Sequence, residues 1–197
     1  PKIQSSRGVN HVYCYHGLGH ALMFLANDNI TRAIQTCEYL KEEGNRFYCA
    51  TGIYMQYFLN YGSDGSFYPC TTHEYPAACF RYKFAYGERS LDLLEVQKKS
   101  CLALPRAQQL ACVYGLGHGY ESFVRLGQLK FNELCSGDPD SRKICIDGVI
   151  ISLAFYDEDK AIGLCNTLEE EFKDHCLHGI SIKDNPLDRS FENFGAS

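Results

Sequence analysis

The chain has 197 residues, of which 45% are hydrophobic and 22% charged, a globular composition that excludes disordered and fibrous proteins. Its net charge of −5 comes without a basic cluster, and its apolar runs are short, so we expect neither a nucleic-acid partner nor a membrane span. Its 11 cysteines predict an oxidising compartment, which is extracellular, periplasmic or at the cell surface.

Long apolar segments with few prolines predict helices along most of the chain. Asp140 and Ser141 are predicted to cap the helix that begins at residue 144. Residues 60–76 are rich in glycine and contain two prolines, and they predict a long loop. Residues 184–197 predict an extended segment over the last hairpin, and no linker divides the single domain 1–197. The predicted helices span residues 30–43, 48–59, 91–102, 106–126, 129–135, 144–155 and 159–168.

Ten cysteines fall into five pairs along the chain. The members of a pair are 9 to 12 residues apart, and successive second members are 30 to 33 residues apart. A repeat of about 32 residues has the length of one helical hairpin, so each pair would form a disulfide across the turn between two helices. The absence of any Cys-x-x-Cys spacing favours disulfides over a thiolate metal site. The predicted disulfides are Cys37–Cys49, Cys70–Cys79, Cys101–Cys112, Cys135–Cys145 and Cys165–Cys176.

A glycine follows the second cysteine by three residues in most repeats. Glycine inside a helix costs up to about 1 kcal/mol relative to alanine, so its recurrence predicts close approach between neighbouring helices. The third repeat departs from this pattern and carries Tyr82. The glycines are Gly17, Gly52, Gly115, Gly148 and Gly179.

Cys14 is the cysteine left over, and it has the position of a second member because Gly17 follows it by three residues. Its partner could lie on an upstream segment, it could bond to another chain, or it could be a free thiol. The repeat position favours the first interpretation, under which the chain is a fragment that lacks an upstream repeat.

The tetrapeptide Gly-Leu-Gly-His occurs twice, ending at His20 and at His118. The other repeats carry mostly apolar residues at this position, so the two histidines depart from a core pattern. His16 precedes His20 by four residues, a spacing that places two ligands on one helical face. His178 has the repeat position of His16. We therefore predict a metal site formed by His16, His20, His118 and His178.

Imidazoles with an open coordination position suit copper or zinc, and a b-type haem held by two histidines also remains open. Tyr114, Asp147 and Glu121 are the candidate catalytic residues around the predicted ion. Gly19 and Gly117, inside the two tetrapeptides, would bring the backbone close to a ligand or leave room for it. The alternative is that the histidines only satisfy buried hydrogen bonds between packed helices.

Four further residues receive simpler interpretations. His11, His73 and His175 are predicted to lie at the surface or in loops. Asn29 begins an Asn-Ile-Thr acceptor for glycosylation, which agrees with export from the cytoplasm.

The period of the repeat resembles that of tetratricopeptide and related αα-hairpin solenoids across nearly the whole chain. None of the side-chain signatures of those families is present, so the resemblance implies a fold and no activity. The expected fold is all-α, with tandem αα-hairpin repeats stapled by disulfides and curved into a solenoid or toroid.

Three functions follow as hypotheses. The first is a secreted metal-binding protein, which would be a metalloenzyme if its copper or zinc ion activates water or handles electrons. The second is a non-enzymatic scaffold whose concave face binds a peptide or the other protein subunits of an extracellular complex. The third is a metal-free enzyme acting on polysaccharide, with histidine and tyrosine as base and acid.

Overall fold

A computed structural model describes residues 7–181, with side chains placed from residue 13 onward. The described residues form ten helices and no strand, which confirms the all-α class. The extended segment predicted for residues 184–197 lies outside the described residues. The helices are α1 (Arg7–Leu25), α2 (Ile30–Cys37), α3 (Glu43–Tyr61), α4 (Pro76–Tyr86), α5 (Leu91–Leu102), α6 (Arg106–Arg125), α7 (Phe131–Leu134), α8 (Pro139–Tyr156), α9 (Glu158–Cys165) and α10 (Glu170–Ser181).

The start of α8 differs from its prediction for a local reason. Asp138 accepts a hydrogen bond from the backbone of Ser141, and Pro139 occupies the first turn, where its missing N–H has no cost. α8 therefore begins at Pro139 instead of residue 144, and Asp140 and Ser141, predicted as caps, lie inside its first turn. The segment predicted as one helix over 30–43 is likewise interrupted between Cys37 and Glu43.

Six helices pack against one another in the order α1, α3, α4, α6, α8 and α10. Neighbours run in the same direction, because His16 and His20 of α1 contact Thr51 and Gln56 of α3 in the same order. The helices α2, α5, α7 and α9 and the loop 62–75 connect them along the chain. His16 and Thr51, which each follow a cysteine by two residues, are thereby adjacent.

Paired glycines bring α1 and α3 into backbone contact. A Cβ atom on Gly19 would lie 2.0 Å from the carbonyl oxygen of Cys49, and one on Gly52 would lie 1.9 Å from the carbonyl oxygen of His16. No real side chain fits in that space, so the two backbones meet through Cα–H groups that point at carbonyl oxygens. The glycines are therefore required for helix packing.

The same contact recurs between α6 and α8. A Cβ on Gly117 would lie 2.3 Å from the carbonyl oxygen of Cys145, and one on Gly148 would lie 2.2 Å from that of Tyr114. The prediction that Gly19 and Gly117 face a ligand is therefore wrong, because both glycines face the next helix. The predicted close approach is absent at Gly17, where nothing lies within 4 Å of an added Cβ, and at Gly179, where the nearest atom is 3.6 Å away.

Five disulfides join the same ten cysteines in the predicted pairs, with Cα atoms 5.2 to 5.9 Å apart. In each bridge the first cysteine precedes one of the helices α3, α4, α6, α8 and α10, and the second cysteine lies inside that helix. Five disulfides indicate an oxidising compartment. Cys14 is free and exposed on α1.

Aromatic side chains fill the interior of a chain that has no tryptophan. Tyr54, Phe80, Tyr114 and Tyr120 are all fully buried. None of the described helices combines the length and the apolar character that crossing a membrane requires.

The loop predicted for residues 60–76 is confirmed over residues 62–75. Lys83 of α4 anchors it, because the buried ammonium donates hydrogen bonds to Ser63 Oγ at 2.7 Å and to the carbonyl oxygen of Asp64 at 3.0 Å. Burial lowers the pKa of Lys83, and the neighbouring Asp64 opposes that shift.

Candidate functional site

The histidines of the first tetrapeptide form a close pair on α1. The Nε2 atoms of His16 and His20 are 3.2 Å apart, and the ring centroids are 4.8 Å apart. Both side chains are half-buried. The pair arises because residues four apart lie on one face of a helix, as the sequence predicts.

Residues of α3 anchor the other nitrogen of each ring. His16 Nδ1 lies 2.9 Å from Thr51 Oγ1, and His20 Nδ1 lies 2.9 Å from Gln56 Oε1. The glycine contact between Gly19 and Gly52 brings α3 close enough for these short side chains to reach the histidines. Both Nδ1 atoms are therefore engaged, and both Nε2 atoms point toward each other.

The electrostatics of the site favour a neutral imidazole at His16. Burial, followed by the charges of His20 and Arg81, lowers the pKa of His16 to about 4. The Tyr82 ring lies beside the pair, with its centroid 6.0 Å from that of His16. A neutral imidazole is the form that binds metal ions.

The second tetrapeptide does not form a matching pair, because Tyr114 occupies the position that His16 has in the first. The pKa of His118 lies well below its ordinary value because of burial and the charges of Arg81 and Arg89. Arg81 thus acts electrostatically on both His16 and His118.

Among the described residues, no group of three or more His, Cys, Asp or Glu side chains is placed to hold a metal ion. His118 and His178 consequently do not join His16 and His20 in one multi-histidine centre. His178 is exposed near the end of α10. The structure thus brings together two of the four predicted ligands.

The three candidate catalytic residues lie inside the protein. Tyr114 is 1% exposed, while Glu121 and Asp147 are each 6% exposed. The Glu121 carboxylate forms an ion pair with Arg125 at 3.1 Å. Burial raises the pKa of this carboxyl, although the Arg125 cation acts against the shift. None of the three carboxyl or hydroxyl groups is open to a polysaccharide chain.

His175 has a role that the sequence analysis missed. The prediction of a surface or loop position is wrong, because His175 is a half-buried residue of α10 whose Nε2 lies 2.9 Å from Asp147 Oδ1. The hydrogen bond to Asp147 raises the pKa of His175. Asp147 and His175 come from adjacent repeats, so only the packing of α8 against α10 reveals the pair.

The remaining predicted residues have local roles. Asn29 is the exposed N-cap of α2 and accepts a hydrogen bond from the backbone of Arg32 through Oδ1. Its glycosylation stays a prediction. His73 Nε2 lies 3.0 Å from Thr31 Oγ1, and its predicted loop position is confirmed. The side chain of His11 lies outside the described part.

Thr51 and Gln56 are the site residues that the sequence analysis left unassigned. Thr51 was recognisable as the residue at the repeat position of His16, since both follow the second cysteine by two residues. Gln56 had no such signal, because its contact with His20 depends on the separation of α1 and α3.

Comparison of the chain with protein families, with curated proteins and with solved structures finds no match. The functional argument therefore depends on the geometry of the histidine pair.

Proposed function

We propose that this chain is a secreted helical-repeat protein, built as a solenoid of disulfide-stapled hairpins, that binds a zinc or copper ion through His16 and His20. The observation that carries the proposal is the 3.2 Å separation of the two Nε2 atoms. Two nitrogen ligands of a tetrahedral zinc ion, each bonded at about 2.05 Å, are roughly 3.3 Å apart. The pair thus already has the spacing of two ligands on one ion.

The surroundings of the pair support the proposal in a second way. Histidines that bind metal ions usually donate the other ring N–H to a neighbouring acceptor, which fixes the direction of the ring. Thr51 and Gln56 supply acceptors to the two Nδ1 atoms at 2.9 Å each. The low pKa of His16 leaves its imidazole neutral near pH 7.

The geometry also bears on which group the pair would hold. Axial histidines of a haem lie on opposite sides of the iron, whereas His16 and His20 are one turn apart on the same side of α1. The pair therefore fits a single divalent ion and does not fit a haem. Two protein ligands leave coordination positions for water or for a donor from another molecule, which is the arrangement that a catalytic ion also needs.

Calorimetric titration of the purified chain, without a histidine tag, with Zn²⁺ and with Cu²⁺ tests the proposal. We expect one ion per chain in the unmodified protein and loss of binding in the variants His16→Ala and His20→Ala. His178→Ala is the matched control, because this histidine is exposed and distant in sequence, and it should bind as the unmodified protein does. Equal binding by all four proteins, or no binding by any of them, would contradict the proposal and favour the scaffold hypothesis.

A further inference from the structure

The hydrogen bonds around His20 continue beyond Gln56 to a carboxylate. Gln56 Nε2 donates to Asn60 Oδ1 at 2.8 Å, and Asn60 Nδ2 donates to Asp28 Oδ1 at 3.2 Å. Asp28 lies in the turn after α1, and its other oxygen accepts the Tyr61 hydroxyl at 3.1 Å. The chain of contacts thus runs from Asp28 through two side-chain amides to His20.

The direction of every hydrogen bond in this chain follows from Asp28. An ionised carboxylate can only accept, so Asn60 must turn its NH₂ group toward Asp28 and its carbonyl oxygen toward Gln56. Gln56 must then turn its NH₂ group toward Asn60 and its carbonyl oxygen toward His20. A carbonyl oxygen can only accept, so His20 must carry a proton on Nδ1.

A separate contact gives His16 the same form. The Thr51 hydroxyl donates its single proton to the carbonyl oxygen of Tyr48 at 2.6 Å. Thr51 Oγ1 can therefore only accept from His16 Nδ1. Both rings therefore carry a proton on Nδ1. If both are neutral, their Nε2 lone pairs face each other across 3.2 Å, a contact that only a cation between them, the proposed ion or one further proton, can bridge.

We propose that Asp28 is a positioning residue for the His16–His20 site: through Asn60 and Gln56 it holds His20 in the Nδ1–H tautomer whose Nε2 binds the ion. The consequence for metal binding rests on the proposed function, whereas the tautomer itself does not. Asp28 reaches the network because it adopts a left-handed backbone conformation, with φ of 60°, directly after α1. Aspartate tolerates that conformation better than most residues.

The test uses nitrogen-15 NMR of the imidazole rings in the metal-free full chain to determine whether Nδ1 of His20 carries a proton. We expect the Nδ1–H tautomer for His20 in the unmodified protein and a mixture of tautomers in Asp28→Ala. Asp174→Ala, which removes an exposed carboxylate from α10, is the matched control and should leave the His20 spectrum unchanged. A dominant Nε2–H tautomer in the unmodified protein, or no change in Asp28→Ala, would overturn the proposal.

A rescue variant separates positioning from a general loss of structure. In the double variant Asp28→Ala/Gln56→Glu, the new carboxylate accepts from both His20 and Asn60, so the Nδ1–H tautomer should return without Asp28. Gln56→Leu removes the acceptor and should weaken Zn²⁺ binding by about 10- to 100-fold. A double variant whose His20 remains a mixture would refute the assigned role of Asp28.

The metal titration and the NMR measurement test two separate claims, so either claim can be wrong while the other stands. If no ion binds but His20 shows the expected tautomer and the expected change in Asp28→Ala, the proposed function is wrong and the tautomer assignment stands. If an ion binds with equal affinity in Asp28→Ala and the tautomer is unchanged, metal binding stands and the role of Asp28 is wrong.

Discussion

Gly52→Ala tests whether α1 and α3 require direct backbone contact. The added Cβ would lie 1.9 Å from the carbonyl oxygen of His16, although ordinary van der Waals contact begins at 3.4 Å. The two helices must therefore separate by about 1.5 Å if the rest of the packing is kept. That displacement exceeds what the 2.9 Å hydrogen bonds of His16 and His20 to α3 can tolerate.

The expected cost can be estimated from its parts. Overpacking of a tight contact costs about 3 kcal/mol at the upper end of the usual range, and weakening of two hydrogen bonds adds about 1 kcal/mol. Alanine is a better helix former than glycine and returns up to about 1 kcal/mol. We therefore expect Gly52→Ala to lower the free energy of unfolding by about 3 kcal/mol.

Guanidinium unfolding at constant pH, followed by circular dichroism with the disulfides intact, measures this loss. Gly163→Ala is the matched control, because this helical glycine of α9 is exposed and has no atom within 4 Å of the added Cβ. The control should gain up to about 1 kcal/mol from helix propensity alone. A Gly52→Ala protein at least as stable as the unmodified chain would refute close backbone packing.

Two further predictions concern α8 and its neighbours. Asp147 raises the pKa of His175 above its ordinary value of 6.5, although burial and the charge of Lys143 oppose the shift. Their contact therefore stabilises the fold fully below that pH and loses its effect as pH rises through the raised value. The stability advantage of the unmodified protein over His175→Gln, from unfolding curves between pH 6 and 9, should accordingly decrease with pH; a constant difference would contradict the pairing. Replacing Cys135 and Cys145 together by serine opens a bridge with a separation of 10 residues and should cost about 2.7 kcal/mol in the same unfolding assay, whereas an unchanged midpoint would contradict the bridge.

Features that depend on short sequence distances were predictable. The disulfide between Cys101 and Cys112 joins residues 11 apart, so the repeat spacing alone identifies it. The His16–His20 pair likewise follows from one turn of one helix. The recurring glycine correctly predicted tight helix packing at Gly52 and Gly148.

Features that depend on the three-dimensional arrangement were not predictable. Repeated Gly-Leu-Gly-His units indicated a shared role for His20 and His118, yet only His20 has a second histidine one turn before it. The glycine inside each tetrapeptide could not be assigned to packing until the neighbouring helix was placed. The anchoring of His20 by Gln56 depends on a contact across 36 residues of sequence.

The glycine pattern is interrupted at Tyr82, so α3 and α4 lack the close backbone contact that glycine allows elsewhere. Backbone contacts at glycine join α1 to α3, α4 to α6 and α6 to α8, whereas among the described residues no glycine forms such a contact between α3 and α4. The long loop 62–75 enters the chain at the same boundary. We therefore expect the boundary between α3 and α4 to open more easily than the three glycine contacts, and amide exchange should show α1 to α3 losing protection together. Because the histidine pair and its anchors all belong to these helices, the site would be lost or kept as a whole.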